Sequence, residues 1–252
     1  MGKIVAIANQ KGGVGKTTTC VNLTAALSEL GKTVLLIDFD PQGNSTSGMG
    51  VSKRSAPSAH DVLLGLAPAE EAVVKMPWGR LLPSNTELSG AEIELAADPR
   101  RDYRLRQALE PIRDDYDYIF IDCPPSLGIL TLNAFTAADS ILVPLQCEYY
   151  AMEGVADLTT TVKLANKRLN KNLYIEGILL TMYDARLSFS AQVAEELRNY
   201  FGDRVYETVI PRNVRLAEAP SHGKPITHYD GRSKGGKAYK AAAKEFLQRQ
   251  GS

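Results

Sequence analysis

Three cysteines, three histidines and one tryptophan in 252 residues leave little material for several kinds of function. Cys20, Cys123 and Cys147 stand far apart, odd in number and without a Cys-x-x-Cys pair. That excludes an iron–sulfur cluster or zinc ribbon built on such pairs, and it points to a reducing, cytoplasmic setting rather than a disulfide scaffold. No run approaches 18 consecutive apolar residues, so no membrane-crossing helix is expected. The first apolar run ends in Asn9-Gln10-Lys11-Gly12-Gly13 with no small-residue cleavage site, and reads as a core strand rather than a signal peptide. Met1-Gly2 is followed by Ala6 where N-myristoylation uses Ser or Thr. Net charge is absent too, 29 basic residues balancing 29 acidic ones. The balance hides an asymmetry: from Thr161 onward there are 16 Lys and Arg against 9 Asp and Glu, which leaves 13 against 20 before it. Such a surplus suits an anionic partner such as nucleic acid, though solvated helix faces produce it equally well.

What the chain does contain is 44% hydrophobic residues, enough for a full core, arranged as short apolar runs alternating with amphipathic stretches. Strands are expected at residues 4–8, 33–37, 81–83, 118–122, 141–144, 175–181 and 205–210. Helices are expected at 22–30, 105–112, 152–169 and 192–201. This alternation predicts an α/β fold, a mostly parallel twisted sheet with helices on both faces. No linker, repeat or low-complexity tract interrupts it, so residues 1–252 are expected to form one domain. The Gly/Ser-rich stretch 43–58 reads as a functional surface loop.

The most specific motif is Gln10-Lys11-Gly12-Gly13-Val14-Gly15-Lys16-Thr17-Thr18, between the first strand and a helical pattern. Strand, Gly-rich loop and helix in that order form a phosphate cradle. The glycines turn backbone N–H groups onto an anion and the helix N-terminus adds partial positive charge. Lys16 would reach the terminal phosphates, and Thr17 would place its hydroxyl on Mg²⁺. The loop departs from G-x-x-x-x-G-K-[ST] because Gln10 stands where the first glycine belongs, and Lys11 is a second lysine with no role in that scheme. Two further apolar strands end in acids, Asp38-Phe39-Asp40-Pro41-Gln42-Gly43-Asn44 and Asp122-Cys123-Pro124-Pro125-Ser126. Ligands of such sheets bind beyond the carboxyl ends of strands. Asp122 therefore reads as a Walker B residue that holds Mg²⁺ directly or through water.

With a lysine opening K-G-G-x-G-K-[ST], the loop resembles the deviant Walker A loop of the ParA/MinD ATPases. The resemblance extends through L-L-I-D-x-D-P-Q-G-N, the segment Pro144-Leu145-Gln146-Cys147-Glu148-Tyr149-Tyr150-Ala151, and the segment 210–225. The last two look like the chromosomal ParA (Soj) subgroup. It implies ATP and Mg²⁺ as ligands, ATPase activity, and a homodimer that sandwiches two nucleotides, with Lys11 crossing to the partner's phosphates. It implies that Lys11, Lys16 and Asp40 carry hydrolysis, Asp40 orienting the attacking water. The nucleotide would be held by Lys11, Gly12, Gly13, Val14, Gly15, Lys16, Thr17 and Thr18, with Pro211 and Asn213 at the adenine. Thr17, Asp122 and Asp38 would serve the metal, Asp38 either there or only at its strand terminus. It further implies non-specific binding of double-stranded DNA through Arg186 and Arg215, a ParB-like partner that stimulates hydrolysis, and a nucleoid-associated location. Other basic residues, Lys163, Lys167, Arg168, Arg198, Lys224, Arg232, Lys234 and Lys237, are candidates of lower specificity. MinD-like relatives bind membrane through a C-terminal amphipathic helix. Here residues 237–247 are Ala-rich and are expected to pack on the domain, with no membrane partner.

Overall fold

The computed structural model describes residues 2–148 and 151–251; Tyr149 and Tyr150, part of the Soj-like segment, lie outside them. Eight strands, β1 (Lys3–Ile7), β2 (Val34–Asp38), β3 (Val74–Met76), β4 (Gly79–Leu82), β5 (Tyr118–Asp122), β6 (Ser140–Gln146), β7 (Tyr174–Tyr183) and β8 (Val205–Pro211), form one sheet in the order β3-β4-β2-β5-β1-β6-β7-β8. All pairings are parallel except the β3–β4 hairpin at one edge.

The helices are α1 (Lys16–Glu29), α2 (Asn44–Gly48), α3 (Ala59–Leu64), α4 (Ala69–Ala72), α5 (Ala91–Glu94), α6 (Arg104–Leu109), α7 (Ile129–Ala137), α8 (Ala151–Arg168), α9 (Ser188–Phe201), α10 (Val214–Glu218), α11 (Ile226–Asp230) and α12 (Lys234–Arg249). The central strands are apolar at nearly every position because both faces are covered, yet they still alternate. Ile4, Ala6, Leu35, Ile37, Ile119 and Ile121 face a core completed mainly by α3 and α6 to α9. Val5, Ile7, Val34, Leu36, Tyr118 and Phe120 face a second core completed by α1 and α10 to α12.

The expected strands are all present and the expected helices, apart from the one over 105–112, are too, with ends displaced by a few residues. The edge strand β3, the helix α7 and the short helices α2 to α5, α10 and α11 were not anticipated. In place of a helix over 105–112, α6 stops at Leu109 and a 3₁₀ turn, Glu110–Asp115, follows with Pro111 in its first turn. The stretch 43–58 is not simply surface, since α2 lies within it and Ser45, Thr46 and Ser58 are buried. Helix α12 packs as expected, with Tyr239, Ala242, Ala243 and Phe246 buried against α1 and the sheet. Among the described residues no helix is long and apolar enough to cross a membrane.

Candidate nucleotide site

The chain reverses direction across the sheet at β1, which lies between β5 and β6, and the site opens beyond the carboxyl ends of these strands, as expected for such a switch point. The loop between β1 and α1 is shaped by Gly13 (φ +75°) and Gly15 (φ +90°), both in the left-handed region that favours glycine. A Cβ on Gly12 or Gly13 would meet no protein atom within 4 Å. The room those glycines leave is therefore not occupied by protein, which fits a phosphate cradle. Asn9 anchors the entry, donating to Pro144 O at 2.8 Å and accepting from Lys11 N at 3.0 Å. Thr181 anchors the exit through a bond to Val14 O of 2.8 Å.

The two lysines part company. Lys16 is buried, and its Nζ donates to Lys11 O at 3.2 Å, leaving further N–H donors for an anion. Burial holds its pKa below the ordinary lysine value, opposed by the neighbouring charges of Asp122 and Asp40. The Lys11 side chain is half exposed at the surface and paired with Glu148.

Behind the cradle the parallel register sets Asp38 beside Asp122. Both are fully buried. Asp38 Oδ2 accepts from the backbone N and the Oγ1 of Thr46, each at 2.6 Å, while Asp122 Oδ2 accepts from Ser45 Oγ at 2.8 Å. Burial raises the pKa of both carboxyls; the Asp122 charge raises Asp38 further, and hydrogen bonds from Ser45 and Thr17 partly oppose the rise at Asp122. Asp122 Oδ1 is buried with no hydrogen-bond partner. Two adjacent buried carboxylates, one unsatisfied oxygen and the Thr17 hydroxyl beside it fit a hard divalent cation. Among the described residues no group of three or more His, Cys, Asp or Glu could hold a metal alone. Mg²⁺ takes one or two protein carboxylates of this kind and completes its shell with phosphates and water.

The cleft over these groups, about 630 Å³, is lined by the loop, Asp40, Gln42, Asn44, Ser89 and Pro124 to Ser126. Asp40 Oδ1 accepts from Gln42 N at 2.9 Å. A second hollow of about 230 Å³ shares Gly15, Thr18 and Met182 with it and includes Pro211, Asn213 and Leu216. Its apolar lining suits a nucleobase. Among the described residues Met182 is the one non-glycine in the left-handed region (φ +50°), backbone strain located where the two hollows join. Behind them Gly50 and Gly223, both at positive φ, meet backbone to backbone; a Cβ on Gly50 would lie 2.6 Å from Gly223 O.

Lys11, Lys16, Thr17, Asp38, Asp40 and Asp122 thus gather at one end of the sheet, with Pro211 and Asn213 at the adjoining hollow. Arg186 and Arg215 follow the ends of β7 and β8, where Tyr183 pairs with Pro211. Each is already paired: Arg186 grips Asp184 through two bonds of 2.9 and 2.7 Å, and Arg215 contacts Glu218 at 2.8 Å and Asp230 at 3.6 Å. The Arg186 contacts hold the Asp184 carboxyl near a pKa of about 2. The remaining basic candidates do not form one patch, since α8 with Lys163, Lys167 and Arg168 covers the opposite face from α10 and α12. Thr46, Ser84, Ser89, Thr181 and Met182 were not anticipated. The one available signal was a run of hydroxyl residues after Asn44, which a surface loop explains equally well.

The AAA domain model matches residues 2–175. The Sporulation initiation inhibitor protein Soj of Bacillus subtilis is 56% identical over 248 residues, covering 97% of this chain and 98% of that protein. The Chromosome-partitioning ATPase Soj of Treponema pallidum is 47% identical over 253 residues, covering 100% and 99%. Among solved structures, a cobyrinic acid a,c-diamide synthase from Mycobacterium smegmatis with bound ADP and magnesium superposes with a TM-score of 0.87 at 40% identity, covering 100% of this chain and 96% of that one. With its fold, phosphate loop and paired strand-end acids, the chain belongs to the ParA/MinD family of deviant Walker A ATPases, in its Soj group of chromosome-partitioning proteins, and takes ATP with Mg²⁺.

Proposed function

We propose that this partition ATPase, a single domain over residues 1–252, works as a nucleotide-governed DNA coat. Subunits loaded with MgATP pair face to face, the pair binds double-stranded DNA without sequence preference, and a ParB-like partner triggers hydrolysis and release. The observation that carries this reading is the division between the lysines. Lys16 already sits inside the cradle, whereas Lys11 stands at the surface on an exposed pairing with Glu148. A screened surface pair is readily exchanged, which leaves Lys11 free to meet phosphates presented by a second copy, as an arginine finger does in other phosphoryl-transfer enzymes.

Within one subunit the loop N–H groups of residues 12–18 and the Lys16 ammonium hold the phosphates. Pro211 and Asn213 hold the adenine. Thr17 and Asp122 hold Mg²⁺, with Asp38 supporting; when bound, the ion neutralises β- and γ-phosphate oxygens. Asp40 orients water for attack on the γ-phosphorus, breaking its bond to the β–γ bridging oxygen and leaving ADP and phosphate. Arg186 and Arg215 supply DNA contacts by exchanging their carboxylates for backbone phosphates, and two docked subunits add their weak patches on one duplex. Nucleoid association follows from that binding.

A membrane-positioning role of MinD type is less well supported, because the apolar face of α12 is already used inside the fold. Light scattering combined with co-sedimentation on plain DNA and on anionic liposomes, under ATP, ADP and no nucleotide, tests the reading. The expected result is dimer and DNA pelleting with ATP alone. Pelleting with liposomes, or DNA binding indifferent to nucleotide, overturns it.

A further inference from the structure

Asp40 is the residue whose placement matters most if it orients water, and its main chain is held by a buried network that runs from Asp38 to Thr46 and Ser84, the last two outside the motifs. Ser84, two residues beyond β4, is buried. Its Oγ donates to Asp40 O at 2.9 Å, and its backbone N donates to Thr46 Oγ1 at 2.9 Å. Thr46 passes its hydroxyl proton and its N–H to Asp38 Oδ2, so the Thr46 hydroxyl is donor and acceptor at once and its orientation is fixed. Asp40 N in turn approaches Asp38 Oδ1 at 3.4 Å. Asp40 is thereby suspended from two strands, β2 through Asp38 and β4 through Ser84. The Ser84 hydroxyl is spent on Asp40 O, and Ser84 is not among the residues lining the cleft. Its reach to the chemistry runs through Asp40.

We infer that Ser84, seated on Thr46, is a positioning residue for hydrolysis. It fixes the Asp40 carbonyl, hence the peptide plane before Pro41 and the direction in which the Asp40 carboxylate meets the cleft. Asp40 precedes a proline and is already restricted to extended conformations. One added anchor therefore removes much of the freedom left to it. Without Ser84 Oγ the carbonyl keeps a single tie, the 2.9 Å bond from Gly43 N within the same loop. The loop stays closed, but its angle to β4 is released. A displacement of this kind disturbs the reaction geometry and leaves the phosphate cradle, built on β1 and α1, untouched.

The inference rests on Asp40 being the water-orienting residue, and its test separates the two ideas. Single-turnover ATP hydrolysis and binding of a fluorescent ATP analogue are measured for the full chain, Ser84→Ala, Asp40→Ala and the double variant. The expected result is a roughly tenfold slower hydrolysis in Ser84→Ala, within the loss expected for a misplaced group. Analogue affinity should stay within about twofold of the parent. The double variant should be no slower than Asp40→Ala alone, since coupled residues are not additive. Full-speed hydrolysis in Ser84→Ala, a parallel fall in analogue affinity, or losses that multiply in the double variant overturn the positioning role while leaving Asp40 in place. Wild-type hydrolysis in Asp40→Ala removes the Asp40 reading itself.

Discussion

Asp38 and Asp122 lie fully buried, side by side, each accepting hydrogen bonds from α2, whereas Arg186 and Arg215, with side chains 86% and 54% exposed, lean on surface carboxylates. Both regions set charge against charge, with opposite consequences. In the floor, like charges are forced together out of water, so their pKa values rise and the region stays electrostatically incomplete until a cation arrives. At the rim, opposite charges meet in solvent, where pairing contributes little and partners exchange freely. A buried arrangement of this kind is specific to one ligand geometry. The exposed one answers to any polyanion and weakens with salt.

The comparison can be broken at its strongest point first. Lys16→Ala removes a buried cation facing Asp122 and Asp40 and should weaken ATP by at least about 100-fold, as loss of about 3 kcal/mol of charge-assisted bonding would; titration with a fluorescent ATP analogue reads this. Asp40→Ala, next in size, should slow hydrolysis by about 100-fold or more while ATP still binds, and dimer should accumulate in gel filtration with ATP. Undiminished turnover removes Asp40 from the catalytic role. At the rim, Arg186→Ala with Arg215→Ala should weaken DNA by about tenfold, alike for all sequences, and lower the slope of log affinity against log salt by about 2; an unchanged slope places the DNA surface elsewhere.

The smallest effect runs the other way. Asp122→Asn relieves the crowding of buried charge, so without Mg²⁺ and nucleotide it should melt a few degrees higher, on the order of 1–2 kcal/mol, and gain less from MgATP. A carboxyl whose folded pKa lies above its unfolded value destabilises more as pH rises. The parent should therefore lose stability as pH climbs from about 4, where the unfolded carboxyls ionise, to about 7, and Asp122→Asn should lose less. Calorimetry across that range without Mg²⁺ reads both; equal melting of the two proteins at every pH would mean that the floor carries no such tension.

The floor's acids were legible because each ends an unbroken apolar strand, and Lys11, Lys16 and Thr17 because local spacing alone defines the loop. Thr46 and Ser84 were not. Their meaning depends on β4 lying beside β2, and that adjacency follows from pairing between distant segments. The edge strand β3 escaped because Val74-Lys75-Met76 is three residues long, below the reach of any period. Helix α7 escaped because Leu130, Thr131 and Asn133 to Ala137 are all buried. A helix covered on all sides has no polar face to reveal it. At the rim, the surplus of basic residues was visible, but not that α8 carries its share to the opposite face.

The contact between Gly50 and Gly223 joins the stretch after Asp40 to the stretch after Asn213, main chain against main chain with no side chain between them. There is no compressible layer at that joint. A single methyl group on either glycine would act as a wedge, prying apart the stretch that follows Asp40 and the stretch that follows Asn213.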